Sequence, residues 1–166
     1  MMRHLSRLIG IVVVCLLVAS TASAYTFTSK EWNFTAEFPA APTLEKTKST
    51  TSAGTPYDQY VWSIESKGGW KGVGLIVYSQ SVVHDYNASV RGAVNATKGK
   101  LRSQKTIQQS GVQGREIIID VPDSGVVRQR LLWIGDRLYQ VVFSGGKGTG
   151  LTPDVEAFLN SFRTLK

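Results

Sequence analysis

The stretch VVRQRLLWIGDRLYQVVFS, Val126–Ser144, decides the fold. Two runs of strand-forming residues flank Gly135-Asp136, the signature of a two-residue hairpin loop. With that loop, Leu132 lies opposite Tyr139, Arg130 opposite Val141 and Arg128 opposite Phe143 on one face. Trp133 with Leu138, and Gln129 with Val142, lie on the other. Both faces are substantially apolar, so both need cover.

Working outward, Tyr25–Phe27 and Trp32–Phe38 alternate apolar and polar residues at the strand period, and Pro39 and Pro42 end that segment. The polar stretch Thr43–Pro56 reads as a weak edge strand plus a loop. Tyr57–Glu65 and Lys71–Ser81 read as a hairpin turning at Gly68-Gly69, with Trp70 at its tip. Val90, Ala93, Val94, Thr97 and Leu101 then recur at helical spacing, which predicts a helix from about Ala88 to Arg102 with Asn87 as its N-cap. A turn through Gly111–Gly114 leads to a strand at Arg115–Val121, and Pro122–Gly125 turns the chain into the hairpin quoted above. Beyond it, Gly145–Gly150 is a flexible loop. Thr152 caps a last helix with Pro153 at its first position, and Val155, Phe158, Leu159 and Phe162 form its apolar face. The expectation is one α+β domain over residues 25–166, an α/β/α sandwich with a central, mainly antiparallel sheet and a helix on each face.

The ending GDRLYQVVFSG…TPDVEAFLNSFRTLK and the early WNFTAEFPAAP (Trp32–Pro42) resemble the PsbP-like superfamily. That superfamily takes in photosystem extrinsic subunits, a small Ran-binding import factor and bacterial envelope proteins. The resemblance implies the same sandwich and an accessory or binding role. It carries no catalytic residue onto this chain.

Residues 1–24 read as a secretory signal peptide. Arg3 and Arg7 precede an apolar run, Leu8–Val18, and Ala22-Ser23-Ala24 forms an A-x-A cleavage site. The run is about 11 residues long, against the roughly 20 that a spanning helix needs. Val12-Val13-Val14 before Cys15 is no lipid-attachment signal. Cleavage after Ala24 leaves a periplasmic or secreted chain with no membrane span. It also removes the only cysteine, so no disulfide is expected. The sequons at Asn33, Asn87 and Asn95 read as incidental.

The chain has 19 basic and 12 acidic residues; the leader takes two of the basic ones, leaving 17 against 12 and a net charge of +5. That balance serves solubility and favours an anionic ligand or an acidic envelope protein as partner. Export and the scatter of the basic residues argue against nucleic acid.

Chemistry is sparse. His84 is the sole histidine after the leader, so no metal site of ordinary composition is expected. No G-x-S-x-G occurs, and Ser144-Gly145-Gly146-Lys147 fails the phosphate-loop spacing at both ends. No catalytic, cofactor or metal residue is therefore assigned. Glu116 and Asp120 are near each other, but nothing in the sequence separates their acidities. Arg128 and Arg130 share a strand face, placed with Ile117, Ile119, Val141 and Phe143, and are candidates for an anionic, partly apolar ligand unless they snorkel into water. Lys147 in the glycine loop and Trp70 are further candidate contacts. The expected function is an exported, non-catalytic binding or accessory protein. The alternatives are an envelope hydrolase or a structural subunit of an envelope complex.

Produced with its leader in a Gram-negative bacterium, the exported product should begin at Tyr25. N-terminal sequencing of the periplasmic fraction checks this, and a cytosolic product that retains Met1 overturns it.

Overall fold

The computed structural model describes residues 24–123 and 125–165. Residues 1–23 of the expected leader, with Cys15, and Ser124 of the expected turn lie outside the described residues. In chain order the elements are β1 (Tyr25–Ser29), β2 (Phe34–Phe38), β3 (Thr43–Thr50), β4 (Pro56–Ser66), β5 (Gly69–Tyr78), α1 (Tyr86–Thr97), β6 (Lys100–Gln109), β7 (Val112–Val121), β8 (Gly125–Ile134) and β9 (Arg137–Gly146). A single 3-10 turn (Thr149–Leu151), α2 (Pro153–Ser161) and β10 (Arg163–Thr164) follow. Strands β3-β4-β5-β9-β8-β7-β6 make one antiparallel sheet, and β1-β2-β10 make a second.

The β8–β9 hairpin forms with the expected register: Arg128 pairs with Phe143, Arg130 with Val141, Leu132 with Tyr139 and Trp133 with Leu138. Gly135 holds φ 61, the left-handed conformation that such a loop requires.

The α/β/α sandwich is not what is seen. The protein is mainly β, and the layer over the first face of the large sheet is the small sheet together with α2. Phe34, Ala36 and Phe38 of β2 and Val155, Phe158 and Leu159 of α2 are buried against Trp62, Val73, Leu75, Leu132, Tyr139, Val141 and Phe143. The missing layer was hidden in β1 and β2, whose alternation reads equally well as strands of the main sheet. β10, only two residues long, is too short to carry a pattern. On the opposite face α1 and its approach cover Ile117, Ile119, Val127, Leu131, Trp133 and Leu138, and no residue of β3 or β4 belongs to that cluster.

Boundaries moved for local reasons. Asp85 rather than Asn87 caps α1, accepting from the backbone N–H groups of Asn87 and Ala88 at 2.8 and 3.1 Å. The helix stops at Thr97 because Lys98 turns left-handed (φ 51) and Gly99 follows. A Cβ at Gly99 would meet Ile119 Cγ2 at 2.4 Å and the Asp120 carbonyl at 2.6 Å. Leu101 therefore belongs to β6, a strand the helical spacing had absorbed. The Thr43–Pro56 stretch yields a full eight-residue strand, β3, exposed along its whole length. No helix among the described residues is long and apolar enough to cross a membrane.

Phe34 is the hinge of the inter-sheet core. Its ring lies 5.0 Å from Trp62 and 5.7 Å from Phe162, centroid to centroid. Phe34→Ala should cost about 3–5 kcal/mol in urea unfolding. Tyr25→Ala, on the exposed start of β1, should stay within about 0.5 kcal/mol.

Candidate functional site

Arg128 and Arg130 come together as the sequence implies, on the face covered by α2. The residues beside them differ from the expectation. Val121 pairs with Gly125, leaving residues 122–124 as the loop, so Arg130 faces Glu116 and Arg128 faces Ile118. The expected four-residue turn would have set Ile117 and Ile119 there. A loop one residue shorter sends both isoleucines to the α1 face.

The two guanidinium groups lie inside the protein, with Arg128 4%, Arg130 6% and Glu116 3% exposed. They do not snorkel. Arg130 Nε donates to Glu116 Oε2 at 2.7 Å, and its two terminal nitrogens donate to Asn160, Gln109 and Glu156. Arg128 donates to Glu116 Oε1 at 2.9 Å, to Glu156, and to the Gly150 carbonyl at 3.3 Å. Lys105 reaches Glu116 from β6 at 3.0 Å. On the same face the buried Lys71 holds Asp154 of α2 at 2.7 Å and lies 5.7 Å from the Phe158 ring centre. Each anion that an incoming ligand would supply is already supplied by the protein, chiefly by α2.

Burial pushes the Glu116 carboxyl up, but hydrogen bonds from Arg130, Lys105 and Arg128 outweigh it and hold the group below its ordinary range. For Glu156 burial again raises the value, and Arg128, Arg130 and Asn160 bring it down overall. A hydrolase acid needs its pKa raised, so this carboxylate pair is tuned the wrong way for that role.

Lys147 is exposed, just beyond β9, and its neighbours were missed in the sequence. Asp120 pairs with Lys100 across β6–β7, and the register shift between Leu101 and Ser103 makes Arg102 an extra residue. That bulge turns Arg102 back onto Asp120, with Nε donating to Oδ2 at 3.1 Å. The hydrogen bond from Arg102 lowers the Asp120 pKa, and the charges of Lys147 and Lys100 lower it further. Lys98, Gly99 and Lys100 line a shallow depression of about 320 Å³ beside Asp120, Val121 and Pro122. Three cations, Arg102, Lys147 and Lys100, thus act on one carboxylate, and Lys98 lines the same depression. The available signal was the set of basic residues at 98, 100 and 102, which the helix reading divided, with Lys98 and Arg102 on one face and Lys100 on the other.

Trp70 is the second residue of β5, not a hairpin tip, since Ser66 pairs with Gly69. It folds back along its own strand. A Cβ at Gly72 would meet its ring at 2.3 Å. His84 stacks on Trp133 with ring centres 4.3 Å apart. Among the described residues no three His, Cys, Asp or Glu side chains gather to hold a metal.

No family model matches this chain, and no curated protein matches it.

Glu116→Gln leaves both arginines short of a buried counter-charge and should cost about 3–5 kcal/mol in urea unfolding. The folded pKa of Glu116 lies below its unfolded value, so this stabilisation is complete above the ordinary carboxylate range and is lost as pH falls through the lowered pKa. The gap between wild type and Glu116→Gln should be constant from about pH 6 upward and close below about pH 4 in urea melts.

Proposed function

We propose that this chain is an exported, non-catalytic binding protein that recognises an anionic ligand with the cation cluster around Asp120. The observation that carries this reading is an open depression lined by Lys98 and Lys100 beside Asp120, a carboxylate that Arg102 holds and that the charges of Lys100 and Lys147 also reach. Arg102 is taken up by Asp120, which leaves three lysines for an incoming anion. An exposed, multivalent, basic patch of this kind attracts polyanions at long range and loses them as salt is raised. The resemblance of the ending to the accessory and binding proteins of the PsbP-like superfamily supports the same reading, as does the secretory leader.

The test uses inorganic polyphosphate as probe at low salt. Lys98→Glu with Lys100→Glu and Lys147→Glu should weaken binding at least tenfold. The control Lys30→Glu with Lys67→Glu and Arg91→Glu makes the same change in net charge elsewhere and should retain most of it. Equal loss in both variants, or no binding by the wild type, overturns the reading. Circular dichroism confirms that both variants fold.

A further inference from the structure

The large sheet has two edges, and they are finished differently. β6 carries the Arg102 bulge, and its end is tied down: Gln109 donates to the Leu159 and Phe162 carbonyls, and Thr164 N donates to Ser110 Oγ. Bulges and tied ends are how edges are kept from pairing. β3 has neither. It pairs in unbroken register with β4 from Thr43↔Ser63 to Thr50↔Pro56, and every residue is exposed. Backbone N–H and C=O groups of alternate residues therefore point outward along eight residues, an open template for another strand.

The side chains along this edge specify what fits. Leu44, Lys46 and Lys48 share one face with Trp62, Tyr60 and Asp58 of β4. Lys46 Nζ lies 5.3 Å from the Tyr60 ring centre, and the Tyr60 ring lies tilted against Trp32 with ring centres 4.5 Å apart. Trp32 in turn carries Arg137 5.2 Å above it. Asp58, 3.9 Å from Lys48, is the only acid of β3 and β4 on that face. A strand laid beside β3 sets its own residues opposite Leu44, Lys46 and Lys48, where opposite charges pair favourably. A second copy is disfavoured by the same rule. Self-pairing about a two-fold centred on Glu45, Lys46, Thr47 or Lys48 sets Glu45 on Glu45, Lys46 on Lys46, Lys46 on Lys48, or Lys48 on Lys48.

We propose that β3 captures an extended acidic peptide by strand addition, with carboxylates two residues apart opposite Lys46 and Lys48. This edge is the opposite one from the Asp120 cluster, so the inference stands apart from the polyphosphate reading.

The probe is the labelled peptide Val-Thr-Glu-Thr-Glu-Thr-Val-Thr, read by fluorescence anisotropy against the mature protein. Lys46→Glu with Lys48→Glu should weaken it about tenfold and strengthen the matching lysine peptide. N-methylation of alternate peptide amides should abolish binding, and bound peptide should slow hydrogen exchange within residues 43–50. Lys98→Glu with Lys100→Glu and Lys147→Glu should leave the peptide affinity within about twofold. Equal binding of the glutamate and lysine peptides by the wild type overturns the proposal. So does unchanged binding of the N-methylated form, or dimerisation of the protein through β3.

Discussion

Two arginines are buried inside this protein because two glutamates reach them from opposite sides. Glu116 comes from the neighbouring strand and Glu156 from the helix above. Neither glutamate alone matches the charge of the pair, and taking an unmatched ion out of water is costly. The position of α2 is therefore prescribed by charge as well as by its apolar face. Glu156 and Asn160, one turn apart, both meet Arg130, while Asp154 meets Lys71. Rotating the helix or sliding it one turn would keep some apolar contact but strand all three buried cations.

The rest of the architecture follows from that placement. With α2 fixed over β8 and β9, the remaining part of the same face is left to aromatic rings, and the small sheet supplies them. Phe27, Phe34 and Phe38 meet Trp62, Tyr139 and Phe158 at edge-on or tilted angles, and Phe34 stacks on Phe162. Polar groups in this layer are paired with backbone, as where Tyr139 donates to the Trp32 carbonyl at 2.7 Å. The two ends of the layer thus solve the same burial problem with different chemistry, ions under the helix and rings under the strands.

The sequence was most legible where structure is local. The Gly135-Asp136 loop fixes five cross-strand pairs at once, and Thr152-Pro153 marks the start of α2. It was least legible where a strand and a helix share a pattern. Leu101 continues the spacing of α1 and yet lies in β6, because the crowded backbone at Gly99 forces the turn. Between Val121 and Gly125 one residue of loop length decides whether isoleucines or Glu116 lie beside the arginines, and composition does not determine that length. Arg128 and Arg130 stood out in the sequence as charges on a strand with apolar residues, but their partner Glu156 lies on another element, 26 residues after Arg130. The Asp120 cluster depends on a bulge, which leaves no mark in hydrophobic patterning.

The short strand β10 has a kinetic meaning. Thr35 of β2 is partnered by Arg163, and Asn33 donates to the carbonyl of Leu165, 132 positions later. A chain that emerges from the ribosome N-terminus first carries Phe34 and Phe38 for most of its synthesis without part of the wall they pack against. The layer closes only once α2 and β10 are out. Contacts of such long range slow folding and keep a chain open. Closure of the aromatic layer thus waits on contacts made across nearly the whole length of the domain.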